Sequence, residues 1–180
     1  LIDFDRVFAE FIRPALESAG LEVLRADEEQ SAGDIRADMF QELLMADLVV
    51  ADLTLDNPNV WYELGVRHAL RARGVILVQG PRVAQPFDIY TDRKLTYHLK
   101  DGALDPQMLA SDIANLATMA RNTLNAWRGR KTSPVYSLLP NLEEPDWCRL
   151  RVGNALAYWE SYDEWATRIE VARNANHPED

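Results

Sequence analysis

Acidic and amide side chains are concentrated in one short stretch of the sequence. Residues 52–63 read DLTLDNPNVWYE, and the polar groups are Asp52, Asp56, Asn57, Asn59 and Glu63. Paired carboxylates are typical of sugar chemistry, because a carboxylate can attack an anomeric carbon or stabilise an oxocarbenium ion. The stretch therefore raises the hypothesis of chemistry at a glycosidic bond.

The predicted elements place these groups at one edge of a sheet. Asp52 ends the apolar run DLVVAD, which is typical of a strand buried on both faces. Ligands of open parallel sheets bind beyond the carboxyl ends of the strands, and the turn 54–59 follows at that end. Asn57 can cap the next helix with Pro58 in its first position. Glu63 then lies within about two turns of the positive helix end.

A purely structural interpretation explains the same residues. Glu63 and Arg67 have the i, i+4 spacing of an exposed helical ion pair, worth a few tenths of a kcal/mol. Asp52 could cap the following loop, and Trp61 and Tyr62 are expected to pack in the core rather than stack on bases. Spacing alone leaves both interpretations open.

Helical and apolar segments alternate along the first part of the chain. Residues 5–20, 33–46 and 59–74 have helical periodicity, and the short apolar segments 21–26, 47–54 and 75–80 are typical of strands. This order predicts an α/β fold: a three-layer, flavodoxin- or Rossmann-like, mostly parallel sheet with flanking helices. Because the chain opens on a helix, we expect that a first strand of the sheet is missing.

The remainder divides into a loop, a helix and a helical extension. Residues 81–102 form a long loop that closes on a strand near 95–99, and its Arg82 and Arg93 are expected to meet a base or phosphate. An amphipathic helix over 105–127 is predicted, capped by Asp105. We expect an α/β domain over 1–129, a linker over 130–147 and a helical extension over 148–180 that begins helical repeats.

The composition restricts the partners. With 19 basic and 29 acidic residues the formal net charge is −10, which argues against a nucleic-acid binder but allows one small nucleotide. The single cysteine, Cys148, fits a reducing compartment, and neither a run of roughly 20 apolar residues nor a signal-peptide pattern is present. We expect a cytoplasmic protein with no membrane or DNA partner. P-loop and dinucleotide motifs are lacking, and the three histidines stand apart in the sequence, so no cofactor and no metal is predicted.

The stretch MADLVVADLT followed by NPNVWYELGVRHALRARGVILVQG resembles the nucleoside 2-deoxyribosyltransferase-like group, which neighbours TIR domains in fold. The resemblance implies that Glu63, in the Glu-Leu-Gly triplet, is the nucleophile on the sugar C1. It also implies that the sugar-binding acidic residue corresponds to Asp56 or Asn57.

A closer resemblance covers roughly residues 1–102. This part is similar to the N-terminal domain of bacterial TRAFs-binding (tetratricopeptide-associated) proteins and, more distantly, to a domain of animal apoptosis signal-regulating kinases. Members usually begin with a strand ending in Met-Pro-Phe and continue into helical repeats. In the kinases the glutamate is not kept and the domain serves assembly, whereas this chain has Glu63.

Together these observations predict a hydrolase or transferase of the N-glycosidic bond in a nucleoside, nucleotide or NAD-like molecule, in a signalling or defence protein. The alternative is a non-catalytic nucleotide-sensing or scaffold domain. A homo-oligomer or a helical-repeat partner is expected in either case. The predicted catalytic residue is Glu63, and the predicted substrate-binding residues are Asp52, Asp56, Asn57, Asn59, Arg82 and Arg93.

Overall fold

The computed structural model describes residues 2–25, 35–82, 93–125 and 131–147, with backbone only for 35–38. Its centre is a parallel sheet of three strands in the order β1 (Val49–Asp52), β2 (Val75–Gln79) and β3 (Lys94–Thr96). In the register, Val49 lies opposite Val75 and Leu77 opposite Lys94. The predicted α/β class with a parallel sheet and flanking helices is confirmed, and the flavodoxin- or Rossmann-like topology stays a prediction.

A small hairpin follows the sheet. Strands β4 (Leu99–Lys100) and β5 (Ala103–Leu104) pair in antiparallel fashion. The two residues between them, Asp101 and Gly102, both have positive φ angles, 53° and 84°. An Asp-Gly pair is suited to such a turn, because both residue types tolerate this left-handed conformation.

The N-terminal helix contains a wide turn in its middle. It consists of α1 (Phe4–Val7), a π-helical turn (Phe8–Ile12) and α2 (Arg13–Ser18). Pro14 has no N–H to donate one turn back, and the Arg13 N–H bonds the Phe8 carbonyl five residues back. Gly20 follows the helix at φ 83°, as predicted for its C′ position.

The other helices are α3 (Ile35–Met45), α4 (Pro58–Leu70), α5 (Leu109–Asn125) and α6 (Pro134–Leu138). The helix predicted over 105–127 begins at Leu109, four residues after the predicted start. Asp105 instead caps a preceding turn, in which its side chain accepts the Gln107 N–H at 2.9 Å.

Helices cover both faces of the sheet. Alternate residues of β2 point to opposite faces, so Ile76 packs with the N-terminal helix and α5, whereas Leu77 packs with α4. On the α4 side, Leu64 contacts Ala51 and Leu53. Helix α4 is therefore fixed directly against β1, the strand that ends in Asp52.

The strand predicted over 21–26 is wrong for the residues that the structure describes. Residues 21–25 form no strand, although Leu21 and Val23 pack against the core. The physical reason is that a strand needs a hydrogen-bonded neighbour. Among the described strands, β1 pairs only with β2. The expected first strand stays a prediction.

The predicted linker contains ordered structure that packs on α4. Tyr136 in α6 is buried, and the Ser133 hydroxyl donates to the His68 carbonyl at 2.6 Å. The N–H groups of Thr132 and Ser133 both donate to the carbonyl of Ala72. The predicted extension 148–180, with Cys148, lies outside the described residues. In the described ranges, no helix combines the length and apolar character that crossing a bilayer would need.

Candidate functional site

The carboxyl ends of the three parallel strands meet in a buried polar cluster. Asp52 is the last residue of β1, Gly80 follows β2, and Tyr97 follows β3. Thr54 lies between them: its Oγ1 is 2.5 Å from Asp52 Oδ1 and 2.8 Å from Tyr97 Oη, and it accepts the Gly80 N–H at 2.8 Å. The cluster occupies the edge of the sheet where the sequence predicted a ligand site.

Asp52 is engaged on both carboxyl oxygens. Its Oδ1 also accepts the Thr54 N–H at 2.9 Å, and its Oδ2 accepts the Tyr97 hydroxyl at 2.9 Å. Burial raises the pKa of Asp52, while the hydrogen bonds from Thr54 and Tyr97 partly oppose that rise. Tyr97 is fully buried, and burial followed by the nearby Asp52 charge raises its pKa. Asp52 is therefore part of a hydrogen-bond network within the protein.

The sequence analysis missed Thr54 and Tyr97. Tyr97 was placed inside a strand near 95–99, but β3 ends at Thr96 and leaves Tyr97 just beyond the strand. Its ring lies 5.0 Å from that of Phe11, which the π-helical turn presents. A hydroxyl two residues after Asp52 was the available signal for Thr54.

Glu63, the predicted nucleophile, is the sixth residue of α4 and is partly buried. Its neighbours Trp61 and Leu64 pack toward the sheet. The Glu63 carboxylate has neither a hydrogen-bond nor an ion-pair partner among the described residues. Burial raises its pKa. The chain therefore holds a partly desolvated carboxylate next to an apolar surface.

The structural interpretation that pairs Glu63 with Arg67 is wrong. Arg67 is 0% exposed and its guanidinium donates to backbone carbonyls instead. These belong to Leu43 at 2.6 Å, Leu44 at 3.3 Å, and Arg73 and Gly74 at 3.2 Å each. The carbonyls at the end of α3 lack partners within their own helix, so a buried guanidinium satisfies them. Burial and the nearby Arg71 lower the pKa of Arg67 to about 10.

The aromatic residues beside Glu63 behave differently from one another. Trp61 packs against the core as expected. Tyr62 does not, because it is 65% exposed and touches only the edge of the Phe40 ring among the described aromatic contacts. The prediction that Tyr62 packs in the core is therefore wrong, since it lies on the outer side of α4.

The turn before α4 is organised as predicted at its cap. Asn57 is the N-cap, its side chain accepts the Asn59 N–H at 3.0 Å, and Pro58 begins the helix. Arg82 holds this turn: it donates to the Leu53 carbonyl at 2.6 Å and to Asp56 Oδ1 at 2.7 Å. Two predicted substrate-binding residues, Arg82 and Asp56, are thus paired.

The remaining predicted residues lie at two places. Asn57, the N-cap, and Asn59, in the first turn of α4, are exposed at the carboxyl edge. Arg93 is exposed and immediately precedes β3, so its backbone lies at the opposite end of that strand from Tyr97. Three residues of β-strand span about 10 Å. The backbone of Arg93 is therefore separated from the carboxyl-edge cluster by that length.

A buried carboxylate also contacts the residue that follows Tyr97. Asp112 of α5 accepts the His98 backbone N–H at 2.9 Å and lies 3.0 Å from His98 Nδ1. This pair fixes the residues after β3 to α5. Groups of three or more metal-ligating side chains do not come together anywhere in the described ranges.

Comparisons with protein-family models, with curated proteins and with solved structures find no match to the chain. The resemblance to nucleoside 2-deoxyribosyltransferase-like and TRAFs-binding domains therefore stays a prediction from the sequence.

Proposed function

We propose that the protein hydrolyses or transfers the N-glycosidic bond of a nucleoside, nucleotide or NAD-like molecule, with Glu63 as the nucleophile. The observation that carries the proposal is the state of Glu63 itself. Its carboxylate is partly buried, its pKa is raised by burial, and it has no partner among the described side chains. Buried carboxylates are normally paired, and unpaired ones are concentrated at functional sites.

The reaction follows from carboxylate chemistry. A Glu63 oxygen forms a bond to C1 of the sugar while the bond from C1 to the base nitrogen breaks. The electron pair of that bond leaves on the base nitrogen. In a nucleoside or nucleotide that nitrogen then takes a proton from solvent, whereas the nicotinamide of an NAD-like molecule leaves as a neutral base without one. Water then displaces Glu63 in a hydrolase, and a second base displaces it in a transferase. Both routes return Glu63 to a free carboxylate.

The surrounding elements support this assignment. In a flavodoxin- or Rossmann-like arrangement the ligand lies over the carboxyl ends of the strands, where α4 begins. Glu63 lies about 8 Å along α4 from Pro58, at a rise of 1.5 Å per residue. The exposed Asp56, Asn57 and Asn59 would contact sugar hydroxyls. Arg82 would contact the base or a phosphate, and Asp52 would support the sugar side of the site, whereas Arg93 precedes β3 and so lies away from this edge.

The resemblance to the nucleoside 2-deoxyribosyltransferase-like group adds support, since the Glu-Leu-Gly triplet of that group matches residues 63–65. The same resemblance, through TIR-like and TRAFs-binding domains, extends the proposal to a cytoplasmic signalling or defence protein. In such a protein a homo-oligomer or attached helical repeats would regulate the site.

A non-catalytic nucleotide-sensing or scaffold domain is the second candidate, and a specific observation favours it. Three predicted ligand-binding groups are already bonded within the protein. Asp52 is bonded to Thr54 and Tyr97, and Arg82 is bonded to Asp56. A scaffold would use these bonds to hold its turn and would not convert a ligand.

Product release from a panel of nucleosides, nucleotides and NAD distinguishes the candidates. We expect turnover by the wild type, a loss of about 10³-fold or more in Glu63→Gln, and retained ligand binding by that variant. Glu17→Gln is the matched control, because Glu17 is exposed on α2. Equal turnover in wild type and Glu63→Gln, or none in either with every substrate of the panel, would favour the scaffold.

A further inference from the structure

Four oxygen atoms form a closed hydrogen-bonded ring. They are the two carboxyl oxygens of Asp52, Thr54 Oγ1 and Tyr97 Oη. Thr54 Oγ1 lies 2.5 Å from Asp52 Oδ1 and 2.8 Å from Tyr97 Oη, and Tyr97 Oη lies 2.9 Å from Asp52 Oδ2. All three sides of the ring have hydrogen-bond length. Each side needs one proton between its two oxygens.

The hydroxyl groups cannot supply all three protons. Thr54 and Tyr97 carry one hydroxyl proton each, and an ionised carboxylate only accepts hydrogen bonds. The backbone N–H groups of Thr54 and Gly80 reach ring oxygens, at 2.9 Å and 2.8 Å, but they approach from outside the ring. They satisfy further lone pairs and fill none of the three sides. A proton on the carboxyl group of Asp52 would fill the third side.

We propose that this closed ring is the protonated form of Asp52, and that ionisation of Asp52 opens the side between Thr54 and Tyr97. When Asp52 loses its proton to solvent, the charge stays on the carboxylate and both hydroxyls turn to donate to it. Thr54 Oγ1 and Tyr97 Oη then face each other without a proton between them and repel. The ring is thus a pH-operated switch that joins the ends of β1 and β3.

The surroundings favour a ring of this kind. Thr54 and Tyr97 are buried, so charge at Asp52 is poorly solvated. Burial raises the pKa of Asp52, in the direction that the proton count requires. A carboxylic acid kept neutral in an apolar site is a known way to provide a hydrogen-bond donor.

Other charged groups around the ring are held by other partners. Arg82 is bonded to Asp56 and to the Leu53 carbonyl on the turn after β1. Beyond Tyr97, His98 is paired with Asp112 of α5. Gly80, directly after β2, contributes its backbone N–H, and the N-terminal helix contributes the Phe11 ring. Helix α4 carries the acidic residue Glu63, which does not bond Asp52. Among the described residues, the titratable side chain bonded to Asp52 is that of Tyr97.

Gly80 reports on the ring, because its N–H donates to Thr54 Oγ1. Rotation of the Thr54 hydroxyl changes the field at that amide. The inference does not rest on the proposed function, since it follows from the hydrogen bonds alone.

The test is a pH titration of the full chain by NMR, following the Asp52 carboxyl carbon and the Gly80 amide. We expect both to titrate with one midpoint, above the ordinary range of an aspartate. The Gly80 amide should stop titrating in Asp52→Asn, where the side chain keeps a donor and an acceptor. Glu63→Gln is the control and should leave the Gly80 titration unchanged.

A second pair of variants keeps the test decisive if Asp52→Asn does not fold. Thr54→Ser retains the hydroxyl and should retain the coupled titration, whereas Thr54→Val removes the hydroxyl and should abolish the response of Gly80. A normal aspartate midpoint for Asp52, or a Gly80 amide that ignores its titration, would overturn the proposal.

Discussion

The hydroxyl of Tyr97 lies 2.9 Å from Asp52 Oδ2, and this bond joins the end of β3 to the end of β1 across β2. The two strands do not pair with each other, so side chains make the connection. Polar groups at the carboxyl edge therefore hold the strand ends in a fixed relation beside the proposed site.

Removing the Tyr97 hydroxyl tests this connection. Tyr97→Phe should lower the free energy of unfolding by about 1–3 kcal/mol, because buried hydrogen-bond partners lose their donor. The ring packing against Phe11 is preserved in this variant. Urea denaturation measures the change. Tyr62→Phe is the matched control, since Tyr62 is 65% exposed, and a change as large there would contradict the assignment.

Stability should depend on pH through Asp52. The folded-state pKa of Asp52 is raised, so protonated Asp52 adds to the free energy of unfolding. This contribution is fully present below the unfolded-state pKa. That contribution is lost as pH rises through the folded-state pKa. Asp52→Asn stays neutral, so its stability should match the wild type at low pH and exceed it progressively through that window. Urea unfolding at a series of pH values measures this. A constant difference between the two proteins would show that Asp52 has no raised pKa.

Arg67 should be among the most sensitive positions for folding. Arg67→Met removes the guanidinium from the part-buried Leu43 and Leu44 carbonyls at the end of α3 and leaves the Gly74 carbonyl with only the Val49 N–H, so we expect a loss of about 3 kcal/mol or more. Arg67→Lys should restore little, since a single ammonium cannot reproduce the guanidinium fork. Thermal or urea unfolding measures both variants. Arg121→Met, at an exposed arginine with one 3.2 Å bond to Ser18, should cost less than about 1 kcal/mol.

Two glycines with similar backbone angles provide a further matched pair. Gly74 has φ 75°, and a Cβ there would lie 2.1 Å from the Asp47 carbonyl oxygen and 2.9 Å from an Arg67 nitrogen. Gly20 has φ 83° with open space around it. Gly20→Ala should cost about 1 kcal/mol of backbone strain. Gly74→Ala should cost clearly more, because backbone must move as well. Equal losses in unfolding experiments would contradict the close approach at Gly74.

Local patterns predicted a large part of the fold. Helices and buried strands follow from the spacing of apolar residues, and the cap at Asn57 with Pro58 depends only on adjacent positions. The strand over 21–26 failed because strand formation depends on a partner that periodicity does not reveal. The Arg67 prediction failed because the i, i+4 rule ignores carbonyls supplied by other elements.

The cluster at the carboxyl edge required the register of the sheet. Thr54 and Tyr97 are 43 residues apart, and their contact depends on β3 ending at Thr96 beside β2. No short motif contains that information. The sequence did place Asp52 at the end of a strand and Glu63 near the start of a helix, and their functional roles stay predictions.

The most direct test of the proposed function is the mass of Glu63-containing peptide after quenched incubation with the nucleoside or nucleotide that the wild type converts. We predict a pentosyl ester on Glu63 in the wild type and in Glu17→Gln, with no ester in Glu63→Gln and product formation there reduced by about 10³-fold or more. Product formation by Glu63→Gln at the wild-type rate would contradict the assignment of Glu63 as the nucleophile.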